Sequence, residues 1–387
     1  MTRMDWDAYC ERLKPGGDLI AGSWHGNDPL NAAEIHRQLI LDLGLGYMIN
    51  VATDPRYPDL VPFLNNVYLN QPNPDDAYVM SALDGNGIYR LYGNRGSVHL
   101  LTTNIGRGIM GAKELGGGFG EYDLGAMVPH DGTLDVILSA EKPAGYTGEW
   151  LHLDPRADYI IIRYRSYDWA NERDARLSLT RLDPMPRRRR LAVPEIEAQL
   201  TETIDYTIRL SQQWLGFMDK LKKDMEPNTF RFTNFTEWGG VRAQVYWEGY
   251  YEFEADEALI LETEMPDEVK YWNIQLNDSL FNTIEYLYNQ SHLNGHQAKI
   301  DSDGKFRAVI ALEDPGVANW LDPQQRQTGH LVGRWYESST RPMPTLRRVK
   351  ASEVHKHLPA DTPRVTPEQR HEIIMERVRG GQIRRRW

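Results

Sequence analysis

Apolar residues along this chain follow two periods, and they change over at definite places. Over 5–14 (DWDAYCERLK) and 30–49 (LNAAEIHRQLILDLGLGYMI) they recur at helical spacing, with Asn31 as a candidate N-cap and Glu34 three places on. From about 76 to 183 the texture becomes short runs rich in Tyr, Ile, Val and Leu, such as AYVMSALD, TLDVILSA and ADYIIIRYRSYDW. Gly, Asp, Asn and Pro separate them, which predicts strands. A strongly periodic helix follows over 194–223, with Pro194 suited to its first turn and Leu200, Ile204, Ile208, Leu215 and Met218 near one face. It reads as a connector. Strand texture resumes from 241 to 349, and a last helix begins at Thr366 and Glu368 and runs into Arg384-Arg385-Arg386-Trp387. Such a terminal helix packs on the body or on a second copy, so a homo-oligomer through it is one expectation.

Two segments echo each other. Asp131-Gly132 opens a strand that runs to Pro143, then Trp150-Leu151, then Asp154-Pro155; Asp303-Gly304 opens one that runs to Pro315, then Trp320-Leu321, then Asp322-Pro323. An arginine-bearing strand follows each, Ile162-Arg163-Tyr164 and Gly333-Arg334-Trp335. One supersecondary unit used twice predicts two related β domains. The expected fold is therefore mostly β, two tandem antiparallel sandwiches or jelly rolls joined by a long helix, with helical termini. The expected divisions are a helical segment over 1–70, sandwiches over 71–186 and 231–350, the linker helix within 187–230, and a tail and helix over 351–387.

Composition narrows the function classes. The chain has 387 residues and a net charge of −11, which disfavours nucleic acid as a partner. No apolar run reaches the length of a membrane span and the first residues lack a signal peptide's apolar core, so the expected setting is cytoplasmic, without membrane contact. Cys10 is the single cysteine, which excludes disulfides and thiolate metal centres. Gly116 to Gly120 lacks the context of a phosphate loop and reads as a flexible connection. Arg187 to Arg190 reads as a solvated linker.

The run from Gly249 to Val349 resembles the domain-of-unknown-function family 1214. The likeness is carried by Ala258-Leu259-Ile260-Leu261-Glu262, by Tyr271-Trp272 through Leu276, by Asp314-Pro315-Gly316 through Asn319-Trp320-Leu321-Asp322, and by Gly329 through Arg334-Trp335. The first half is similar to the related family 1254 at Asn73-Pro74-Asp75-Asp76-Ala77-Tyr78, although Pro74 and the absence of a threonine depart from that pattern. The resemblance implies a β-rich, two-sandwich architecture and no particular reaction.

Among side chains that carry chemistry, Trp320 beside Asn319, and Trp150 in the earlier copy, offer stacking faces for sugar rings; the competing reading is that they close the sandwich ends. Arg163 and Arg334 sit mid-strand among apolar neighbours and require a carboxylate or a ligand anion, with Glu262 as the expected partner of Arg334. Glu262 with Asp322 or Asp75 is the candidate acid–base pair, and Trp272 and Tyr78 complete the substrate-binding set. His292 and His296 are four apart, but Asn294 and Gly295 between them argue against a helix, so neither metal nor cofactor is expected. No G-x-S-x-G occurs. Three readings follow: a metal-independent hydrolase or lyase acting on a carbohydrate or glycosylated small molecule, a catabolic enzyme for an apolar terpenoid or aromatic compound, and a non-catalytic binding or assembly protein.

Overall fold

The computed structural model describes residues 5–22, 29–64, 68–236 and 240–384. Within them the strands fall into two runs. The first is β1 (Val61–Pro62), β2 (Asp76–Ala82), β3 (Tyr89–Asn94), β4 (Leu100–Arg107), β5 (Gly117–Asp123), β6 (Thr133–Ser139), β7 (Glu149–His152), β8 (Tyr159–Arg165) and β9 (Arg176–Arg181). The second is β10 (Arg231–Thr233), β11 (Gln244–Glu252), β12 (Glu257–Glu264), β13 (Val269–Asn277), β14 (His292–Asn294), β15 (Lys305–Ile310), β16 (Trp320–Leu321), β17 (Thr328–Ser338) and β18 (Thr345–Lys350).

Each run builds two sheets, and the two runs match strand for strand. Sheet order β1-β2-β8-β4-β5 is repeated as β10-β11-β17-β13-β14, and β7-β6-β3-β9 as β16-β15-β12-β18. Even the parallel pairing of β6 with β7 recurs in β15 with β16, while the other ladders are antiparallel. The echo in the sequence is thus an echo in topology. Leu91, Leu134, Val136, Ile160 and Ile162 fill the first sandwich, and Trp247, Leu259, Ile274, Phe306 and Trp335 the second.

The five-stranded sheets turn their second faces towards each other. β8 is buried along its whole length because Ile160, Ile162 and Tyr164 point into their own sandwich while the residues between them point at the other sheet. Helix α4 (Val193–Asp224) lies beside this seam. The Glu195 carboxylate accepts from the backbone N–H of Ala192 at 2.7 Å to start it, and Tyr206, Leu210, Trp214 and Met218 pack with Tyr78, Tyr246, Phe281 and Val332 of the two halves. The expected connector is therefore also a wall of the core.

Three local expectations are corrected. The single helix expected over 30–49 is two, α2 (Pro29–Glu34) and α3 (Gln38–Asn50), joined by a 3-10 turn at Ile35–Arg37, so Asn31 lies inside a helix rather than capping one. The first helix, α1 (Trp6–Ala21), runs past 14 through Pro15. The glycine-rich stretch is no loop: Gly117 to Gly120 pair with β4 in the edge strand β5, with an irregularity between Ile105 and Gly106. The last helix, α5 (Pro367–Arg384), starts with Thr366 and Gln369 exchanging side-chain-to-backbone bonds of 2.9 and 3.2 Å; residues 385–387 lie outside the described residues. Among the described residues no helix is long and apolar enough to cross a membrane.

Candidate active site between the facing sheets

The repeat places equivalent arginines at the centre of each facing sheet. Arg163 on β8 stands opposite Tyr78 on β2, and Arg334 on β17 opposite Tyr246 on β11. Each guanidinium lies over that tyrosine ring, at 5.5 and 5.3 Å, and donates to an amide oxygen of the next strand, Asn104 Oδ1 for Arg163 and Gln275 Oε1 at 2.6 Å for Arg334. Arg334 also donates to Asn273 Oδ1 at 3.3 Å and to the carbonyl of Gln71 at 3.2 Å, and no carboxylate among the described residues pairs with it. The expected Arg334–Glu262 pair is therefore absent. Glu262 lies on the outer sheet, where Arg307 at 2.7 Å and Lys305 at 3.0 Å hold it below the usual carboxylate range against its partial burial.

Beside these arginines a second polar layer crosses the seam. Arg165 forks onto both oxygens of Asp76 at 2.6 and 2.8 Å and reaches Gln244 Oε1 of the other sheet at 2.8 Å. Next to it, the fully buried Asp75 is gripped from all sides. Its Oδ1 accepts from Trp169 Nε1 at 2.8 Å and Asn294 Nδ2 at 2.6 Å; its Oδ2 accepts from the Tyr271 hydroxyl at 2.5 Å and faces His292 Nε2 at 2.9 Å. Burial alone would raise this carboxyl, but His292, Tyr271 and Asn294 outweigh it and hold the group down at about 2.

His292 is the informative member. A carboxylate only accepts, so Nε2 carries the proton and Nδ1 is left as a lone pair. Burial pushes the imidazole below its ordinary value despite Asp75, so it is neutral near pH 7. The ring stacks on Trp169 at 5.6 Å with 9° between planes, and Nδ1 has no hydrogen-bond partner among the described residues. A second buried carboxylate–histidine pair contrasts with it. His330 Nε2 faces Glu248 Oε2 at 3.2 Å and its Nδ1 meets Asn277 Nδ2 at 2.8 Å, so both nitrogens are engaged. An oriented imidazole with one free lone pair is what general base chemistry requires.

Of the residues expected to carry function, Asp75, Tyr78, Arg163 and Arg334 come together at the seam, and the others do not. Trp150 and Trp320 sit on strands β7 and β16 of the outer sheets, their indole N–H groups donating to Ser139 Oγ at 3.0 Å and the Ala311 carbonyl at 2.9 Å. They pin strand edges on the four-stranded sheets, whereas Arg163 and Arg334 stand on the five-stranded ones, so the tryptophans and the arginines do not share a sheet. Asn319 ties three backbone groups of Lys299 and Arg307, Trp272 packs against Phe306 and Trp335 in the second core, and Asp322 accepts from its own turn at Gln324. His296 is exposed, with its Nε2 3.8 Å from Asp168 Oδ2, so it does not join His292.

Residues absent from the expected set close the site. Arg370, Arg377 and Arg384 recur every seventh place on α5 and are buried against the body. Arg377 lies over Trp169 at 5.0 Å, and Arg384 donates to the backbone carbonyls of Asp75 at 2.8 Å and Tyr164 at 2.9 Å. The buried face of α5 is thus applied to its own chain. The seven-residue arginine spacing was one available signal, and Tyr271 stood in the Tyr271–Leu276 run of the family resemblance; Asn294 and Trp169 had none, since only the pairing of distant strands brings them to Asp75.

Comparison with known proteins agrees with this picture at the level of fold. Residues 253–340 match the model of a family described as protein of unknown function (DUF1214). The crystal structure of an uncharacterised protein from Burkholderia cenocepacia is similar over 90% of this chain and 97% of its own, with 25% identity and a TM-score of 0.84. The VPA0106 protein from Vibrio parahaemolyticus aligns with 81% of this chain and 100% of its own at 12% identity, with a TM-score of 0.47. No curated protein matches the chain. The mostly β, two-sandwich architecture is shared with the Burkholderia protein, and the match to the family of unknown function lies within the second sandwich.

Proposed function

We propose that the protein is an enzyme that moves a proton on a small polyhydroxylated or carboxylated molecule, with His292 as base and Asp75 as the group that orients it. The observation that carries this reading is the free Nδ1 of a neutral, buried imidazole whose other nitrogen is fixed by a carboxylate. The surroundings favour a polar substrate: the dyad lies in a hydrogen-bonded layer of Asn73, Asn273, Asn294 and Gln275, and Arg334 brings a guanidinium with no carboxylate partner among the described residues. Hydrolysis or elimination on a sugar-derived compound uses such acid–base chemistry. A two-carboxylate glycosidase centre is not supported, because Glu262 and Asp322 are held elsewhere and Asp76 is bound by Arg165. That the first half is like family 1254 rests on the turn at Asn73 to Tyr78.

One observation favours a second reading, a structural lock between the sandwiches: both oxygens of Asp75 are saturated and the dyad is fully buried. A turnover screen of glycosides, sugar acids and hydroxy acids separates the two. Under the enzymatic reading the unmodified protein converts a member of the panel, and His292→Gln lowers that rate by about 100-fold or more with the fold intact by circular dichroism. No conversion of any member, or full activity in the variant, overturns it in favour of the lock.

A further inference from the structure

The internal repeat supplies its own control for a second site. Register aligns Val79 and Ile162 of the first sandwich with Trp247 and Gly333 of the second, since each pair stands opposite on adjacent strands next to the equivalent arginines. In the second sandwich the Trp247 indole occupies the space beside Gly333, where a Cβ would come within 1.8 Å of it, and Phe230 and Trp335 pack around it. In the first sandwich valine and isoleucine stand there instead. A cavity of about 990 Å³ opens at this flank, between β2 and the edge strand β9. Leu60, Val79, Tyr164, Leu177 and Ile383 give it apolar walls.

Charge at its mouth is uneven. Asp131 is paired with Arg173 at 2.5 Å, Asp174 with Arg384 at 3.3 Å, and the Glu172 carboxylate accepts from the backbone N–H groups of His99 and Tyr167 at 2.9 and 3.0 Å. Arg176 stands at the exposed rim of the same cavity, next to the inward Leu177, and its side chain has no ion pair or hydrogen bond among the described residues. We infer that this cavity binds an amphipathic carboxylate, its apolar body against Val79 and Leu177 and its anion at the rim on Arg176. A volume at the upper end of the ~300–1,000 Å³ typical of small-molecule sites admits a medium-chain, aromatic or terpenoid acid. The site does not depend on the Asp75–His292 reading, although Arg384 borders both.

Calorimetric titration with cinnamate and octanoate, and with cinnamyl alcohol and octanol as uncharged controls, tests it. The acids bind and the alcohols bind more weakly; Arg176→Glu weakens the acids by about tenfold or more, the order of one charge-assisted bond. Leu177→Trp, on an edge strand, abolishes binding by filling the space as Trp247 does. His292→Gln leaves binding unchanged, which keeps this site separate from the dyad. Thermal melts establish that each variant is folded. Failure of both acids to bind, equal binding of the alcohols, or unaltered binding in folded Leu177→Trp overturns the proposal.

Discussion

Buried ionisable side chains in this protein differ less in burial than in what faces them, and that difference decides their chemistry. Asp75 is surrounded by donors and stays ionised. Asp42, equally buried on α3, accepts from Gln38 Nε2 at 3.0 Å and from the Ser211 hydroxyl; burial dominates and pushes it from 3.8 up to about 7. Its folded-state value lies above its unfolded one, so the folded protein binds this proton more tightly. Stability from this group is complete below about pH 4 and falls as pH rises towards 7, by on the order of 4 kcal/mol in all. Asp42→Asn is expected to flatten the fall in urea-unfolding free energy between pH 5 and 8; an unchanged slope would refute the assignment. Legibility at this scale was uneven for a physical reason. Arg163 and Arg334 stood out because a charge amid apolar strand residues must face something. His292 lies on the three-residue strand β14, too short to show a period, and its partner Asp75 is 217 positions away.

Elements were easier to foresee than the contacts they make. Long helices and alternating strands write their period into the chain; two-residue strands such as β1 and β16 and the glycine-rich β5 do not, since pairing rather than side-chain pattern defines them. The clearest case of contact overriding propensity is α5. A Cβ on Gly380 would lie 2.9 Å from the Trp169 Cβ and 3.0 Å from its backbone. An exposed helical Gly→Ala gains about 1 kcal/mol. Here Gly380→Ala is expected to lower the melting temperature, because α5 must lift from Trp169 to admit the methyl group. A higher melting temperature would mean that the helix docks loosely.

At the scale of the whole molecule, the two sandwiches meet through hydrogen bonds as much as through apolar contact. Tyr271 of the second half donates to Asp75 of the first, and Asn73 Nδ2 donates to the Tyr271 oxygen at 2.8 Å. Such a seam couples the halves, so calorimetry is expected to show one endotherm. Tyr271→Phe leaves buried polar groups short of a partner and should cost about 1–3 kcal/mol while shifting the whole transition. Two resolved endotherms in the unmodified protein would disprove the coupling. The tandem plan was legible because a repeat announces itself twice; which faces meet was not, since that choice depends on side chains from both copies at once.

Having the same nine-strand order twice also releases each copy from doing everything. Trp247 packed over Gly333 makes one copy solid at this flank, able to hold its neighbour's shape. The neighbour, propped along the seam, keeps its own packed core and can leave the matching flank open. Divergence where the copies align then separates a filled flank from an open one.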